Sequence, residues 1–108
     1  MTRKQIEQAA DNAGWNCNIK KTKEGYDIRF YTDSPCGQDV NFEISVRTLD
    51  KVTNEVYEYW QAYDPEDEAV LWFGQNRGEP KSLRKLLDDM DWVDNMLESL
   101  YNHIYKIQ

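Results

Sequence analysis

The amino-acid sequence predicts an α+β domain, a three-stranded antiparallel meander packed with helices in the order α-β-β-β-α-α-α. Three observations predict it. Residues 15–47 hold three runs in which apolar and polar side chains alternate, the period of a strand with one buried and one wet face. The runs are joined by one tight link and one longer loop, so consecutive strands pair antiparallel. On either side of them, apolar residues recur every three or four positions instead, the period of an amphipathic helix.

The first helix is expected over Thr2–Ala13. Thr2 and Gln5 have the spacing of a capping box. Ile6, Ala9, Ala10 and Ala13 mark one apolar face whose small side chains allow close packing, and Gly14 stops the helix. In the first strand Trp15, Cys17 and Ile19 alternate with Asn16, Asn18 and Lys20. Tyr26, Ile28 and Phe30 alternate in the second, and Val40, Phe42, Ile44 and Val46 in the third. Lys23-Glu24-Gly25 links the first two strands. Thr32–Asp39 forms the longer loop, and its Ser34-Pro35-Cys36-Gly37-Gln38-Asp39 stretch reads either as a strand connection or as a recognition loop.

The second helix is expected over Leu49–Tyr63, with Thr48 as N-cap and a stripe of Leu49, Val52, Val56, Tyr59, Trp60 and Tyr63. Asp64-Pro65-Glu66-Asp67 looks like a fresh helix start, with Asp at the cap, Pro at the first position and acids in the first turn. This helix runs to about Trp72 or Phe73, and residues 74–80 form a loop. Ser82 to about Lys106 is a long terminal helix with the stripe Leu83, Leu86, Leu87, Met90, Val93, Leu97, Leu100, Tyr101 and Ile104.

The chain of 108 residues reads as one domain, 1–108. At this size roughly two thirds of the unfolded surface is buried on folding, so a single core is feasible without metal or disulfide staples. The net charge of −7 is uneven: residues 1–34 hold six basic and five acidic side chains, and residues 35–108 hold seven and fifteen. Such a surface repels phosphate backbones and disfavours direct nucleic-acid binding. It suits a basic protein partner, including one that itself binds nucleic acid, and it also serves solubility alone. Cys17 and Cys36 form no CxxC pair, and Cys17 falls on the apolar side of its strand. Neither a signal peptide nor an apolar run of membrane-spanning length is apparent, so a cytoplasmic, reducing location and no membrane partner are expected.

No catalytic machinery is legible. The sole histidine, His103, stands far from any nucleophile-like motif, and phosphate loops, HExxH and GxSxG are absent. The chain is therefore expected not to be an enzyme and to need no cofactor. A hard cation held by Asp64, Glu66, Asp67 and Glu68 is conceivable, but the spacing does not match a calcium loop, and a helix start explains these acids more simply. The first five elements have the order of a double-stranded-RNA-binding domain. The second helix, however, sets only Lys51 against Asp50, Glu55 and Glu58, which disfavours RNA.

The acidic helices carry the stronger signal. Asp88, Asp91, Asp94 and Glu98 share one flank of the terminal helix. Helical turns rise about 5.4 Å, near the ~7 Å spacing of backbone phosphates. With the 64–68 cluster they could present a phosphate-like array, the geometry of a nucleic-acid mimic. The alternative is a solvated flank partly paired with Arg84 and Lys85. Trp92, Met96 and His103 point roughly opposite the apolar stripe. Trp92 and Met96 are either covered by residues 65–73 or the 74–80 loop, or exposed as a protein contact, including a homodimer seam.

Ser34-Pro35-Cys36-Gly37-Gln38-Asp39, Tyr63-Asp64-Pro65-Glu66-Asp67-Glu68 with Trp72, and Arg77-Gly78-Glu79-Pro80-Lys81-Ser82-Leu83-Arg84 together resemble small acidic accessory proteins of phages and other mobile elements of gut bacteria. The resemblance covers most of the chain from Gly14 onward. It implies a host-interaction or counter-defence role and brings no catalytic residues. The reading this favours is a non-enzymatic protein-binding module. Asp64, Glu66, Asp67, Glu68, Asp88, Asp91, Asp94 and Glu98 would steer a basic partner, with Trp92 beside Met96, or Trp72, as apolar anchor. A homo-oligomeric accessory protein and, less favoured, a metal-dependent carboxylate enzyme are the alternatives.

Overall fold

Most elements begin and end where local chemistry directs them. The computed structural model describes residues 1–74 and 82–108, and α1 spans Arg3–Asn12. Its capping box is formed: the Gln5 N–H donates to Thr2 Oγ1 at 3.2 Å, and the Thr2 N–H donates to Gln5 Oε1 at 2.9 Å. Three strands follow, β1 (Asn16–Lys21), β2 (Tyr26–Asp33) and β3 (Asp39–Val46). They form one antiparallel sheet in the order β1-β2-β3. Ile28 stands between Ile19 and Ile44, and Phe30 pairs with Phe42. This register gathers the apolar set on one face, as the alternation requires.

β2 and β3 run further than their alternation suggests, which shortens the expected Thr32–Asp39 loop to residues 34–38. The Ser34 N–H donates to the Gln38 carbonyl and the Gly37 N–H to the Ser34 carbonyl, both at 2.9 Å. Gly37 takes φ 82°, so Pro35-Cys36-Gly37 is a three-residue hairpin loop ending on a left-handed residue.

The expected N-cap at Thr48 needs correction. Thr48 is extended and its side chain makes no capping bond. A 3-10 turn, Leu49–Lys51, comes first, and its Lys51 N–H donates to the Thr48 carbonyl at 3.2 Å. The helix proper, α2, covers Val52–Ala62. The tight turn takes up the backbone donors that a threonine cap would otherwise serve. The next start is as expected: the Asp64 carboxylate accepts from the N–H groups of Glu66 (3.0 Å) and Asp67 (3.4 Å) at the head of α3 (Pro65–Gly74). Ser82 caps α4 (Leu83–Tyr105) by accepting from the Lys85 N–H at 3.2 Å.

α1 packs on β1, α2 on β3, and α4 against both helices. The main core joins Ile6, Trp15, Ile28, Phe30, Val52, Val56, Val93, Leu97, Leu100 and Ile104. A smaller cluster of Ala69, Leu86 and Met90 lies between α3 and the first half of α4. Two members of the expected stripes are exposed. Leu83, the first residue of α4, is 42% exposed because it precedes the packed part of the helix. Tyr59 is 37% exposed, with its ring stacked on Phe42 at 4.0 Å. Among the described residues, no helix is long and apolar enough to cross a membrane.

Candidate acidic interface

The fold brings together two acidic groups that are separate in sequence. Tyr63, between α2 and α3, donates its hydroxyl to the Met90 sulfur at 3.1 Å, tying the start of α3 to the middle of α4. Burial, then Glu68, Tyr59, Asp94 and Asp89 in falling order, pushes the Tyr63 hydroxyl well above its ordinary range. Glu68 and Asp94 are half-buried beside this junction, while Asp64, Glu66, Asp67, Asp88, Asp91 and Glu98 are exposed. Asp64 is occupied in capping α3. Among the described residues the one ion pair joins the Met1 amino group to Asp50 at 3.5 Å. Arg84 and Lys85 therefore form no ion pair with the acidic flank of α4.

Trp92 and Met96 are half-buried and pack against the main core. A Cβ on Gly14 would lie 2.8 Å from the Met96 methyl carbon, and Trp15 Nε1–H donates to the Met96 carbonyl at 2.9 Å. Met96 thus faces the α1–β1 junction. Residues 75–80, most of the loop expected to cover this face, lie outside the described residues, as does the 77–81 stretch of the resemblance. His103 is engaged within its own helix, its Nδ1–H donating to the Ser99 carbonyl at 2.8 Å.

Asp89 stands apart from the acids singled out by the sequence pattern. It is 3% exposed. Its Oδ1 accepts from the Cys36 N–H at 3.2 Å, which fastens the β2–β3 hairpin loop to α4. Its Oδ2 is buried with no hydrogen-bond partner among the described residues. The loop is thus held as a structural connection. Cys36 itself is exposed, yet desolvation first, then the charge of Asp89 and a hydrogen bond to it, push its thiol up; Lys85 opposes.

A raised thiol pKa lowers the thiolate fraction at any pH below it. Cys36 is therefore expected to react with iodoacetamide several-fold more slowly than a free cysteine at about pH 8, despite its exposure. Asp89→Asn should restore much of that rate, and an unchanged rate would show that the carboxylate does not set the thiol's acidity. Cys17 should stay inert in the folded protein, since burial and then Glu7 push its thiol up to about 12.

β3, α2, α3 and α4 line a half-open recess of about 240 Å³, formed in part by Asp39, Tyr59, Tyr63, Glu68, Trp72 and Met90. Burial and then Glu68 push the Tyr59 hydroxyl up, so this one carboxylate acts on both tyrosines. A second groove, of about 440 Å³, runs between α2 and the end of α4 past Tyr57, Tyr101 and Tyr105, with both Asp50 and Lys51 at its wall.

No protein family, curated protein or solved structure matches the chain. Among the described residues, no three His, Cys, Asp or Glu side chains converge as a metal-binding group. The arrangement instead offers carboxylates that form no ion pair among the described residues, and an aromatic recess. The acids stand out in the sequence by their spacing, whereas the recess does not, because its walls come from four elements.

Proposed function

We propose that this chain is a non-enzymatic protein-binding module that works in the cytoplasm as a counter-defence protein of a phage or other mobile element. It docks the acidic face of α3 and α4 on a basic, nucleic-acid-binding partner, in the manner of a nucleic-acid mimic. The observation that carries this reading is the absence, among the described residues, of any ion pair to the carboxylates of Glu66, Asp67, Asp88, Asp91 and Glu98. Unpaired exposed carboxylates keep their field for a partner, raising the association rate and selecting against acidic competitors. Trp72 and Trp92 are half-buried and would supply apolar contact at the rim of that face.

The test is a pull-down from host lysate at low and high salt. A basic nucleic-acid-binding protein should be recovered at low salt and lost at high salt. Asp88→Lys with Asp91→Lys should weaken its binding by roughly tenfold or more without lowering the thermal midpoint. Salt-indifferent binding, or unfolding of the double variant, would remove the steering role.

A homo-oligomeric accessory protein is the second reading. It is favoured by the exposed apolar side chains of Val70, Leu71 and Phe73 on α3, with Leu83 on α4, rather than by Trp92 and Met96. A second copy would cover that apolar surface. The mass of the chain at high concentration separates the two readings.

A further inference from the structure

The geometry points to a binding site for an alkylammonium cation in the recess between β3, α2, α3 and α4, formed by Tyr59, Tyr63, Trp72, Glu68 and Asp39. Three features specify this chemistry. The two charged side chains at the wall, Asp39 and Glu68, are both acidic, and three aromatic rings share the lining with them. Aromatic faces attract cations, and the attraction grows as the cation is desolvated. The recess is also small. Its volume of about 240 Å³ lies below the ~300–1,000 Å³ of pockets that take whole drug-sized molecules, so it suits a head group rather than a large ligand.

Two of the three rings are held before any ligand arrives. Tyr59 stacks on Phe42 at 4.0 Å with the planes 7° apart, and the Tyr63 hydroxyl is fixed on the Met90 sulfur. Preorganised walls lower the ordering cost of binding. Glu68 lies on the first turns of α3 and is close enough to influence the hydroxyls of both tyrosines, which places its charge beside the rings. A divalent metal ion is a poor fit, because hard cations need several oxygen ligands and much of this lining is aromatic carbon. The α2–α4 groove is the weaker candidate, since Lys51 and Asp50 give it no single sign.

The inference goes beyond the docking face and does not require it. The cation can be a free quaternary ammonium compound or the side chain of a lysine, methylated or not, on a protein. Both sources share a positive head of the right size.

The experiment is an NMR titration of the ¹⁵N-labelled chain, following the Trp72 indole signal, assigned with Trp72→Phe, and the amides of Tyr59, Tyr63 and Glu68. The probes are choline, its neutral isostere 3,3-dimethylbutanol, and a short peptide carrying lysine or trimethyllysine. A cation should shift these signals saturably while dimethylbutanol does not. Glu68→Gln should weaken the interaction roughly two- to fivefold and leave signals far from the recess in place. Tighter binding of a lysine peptide than of choline assigns the cation to a protein side chain, and the reverse assigns it to a free small molecule. Equal shifts from dimethylbutanol, or no saturable shift with any cation, overturn the site. Cation binding by a chain that captures no basic partner would remove the acidic-face reading alone.

Discussion

Trp15→Ala is expected to cost about 3–5 kcal/mol of unfolding free energy, the range for truncating a large buried aromatic ring. The indole is 2% exposed. It meets Phe42 edge-on at 5.7 Å and donates its N–H to the Met96 carbonyl, 81 positions along the chain. One side chain therefore joins the edge of the sheet to α4. Domains of this kind are stable by about 5–15 kcal/mol in all, so the loss would be a large shift in the urea midpoint and, at the low end, outright unfolding. Trp15→Phe keeps most of the ring but loses the hydrogen bond, and should cost less, with about 1 kcal/mol from that bond. If alanine costs no more than phenylalanine, the packing of the ring is not what matters there.

Gly25→Ala should be of similar size for a different reason. A Cβ at Gly25 would overlap the carbonyl oxygen of Val46 and the backbone of Arg47. Both belong to the end of β3 and the residue after it, where Tyr26 pairs with Val46, and neither can yield as a flexible side chain would. We expect a loss of roughly 3 kcal/mol or more, at the upper end for overpacking, with fraying of the β2–β3 ladder seen as faster amide exchange in that ladder. Gly37→Ala is the comparison. Gly37 has φ 82° but open space around it, so it should suffer only the backbone penalty of about 1–2 kcal/mol. Equal losses at the two glycines would refute the steric account of Gly25.

Local rules made much of the fold legible. Thr2 and Gln5, or Asp64 followed by Pro65, carry their capping information within a few residues, and alternation fixes which strand face is buried. Thr48 misleads because the same residue type suits an ordinary cap and the entry to a 3-10 turn. The long spans were harder. Asp89 lies within about 60° of Leu86 and Val93 on the helical wheel, at the border of the apolar stripe, so its burial is available from the pattern. Its partner, the Cys36 N–H, is 53 positions away, and nothing near Asp89 names it. The acids of the α4 flank were legible because exposure needs no partner. The aromatic recess was not, because it exists only where Asp39, Tyr59, Glu68 and Met90 arrive from four different elements. The stripe sends Tyr59 into the core, yet stacking on Phe42 holds it at the rim.

The bond between Trp15 and the Met96 carbonyl has a consequence for biosynthesis. The core closes only when α4 docks on α1 and α2, and α4 leaves the ribosome after everything else described above. Translation at about 5–20 residues per second puts roughly 3–12 s between the completion of β3 and that of α4. Through this interval the core-facing sides of α1 and α2 wait without the helix that packs on both. A nascent chain stalled before residue 96 would carry that unprotected surface, which makes it a natural client for a chaperone, whereas the finished chain would not be.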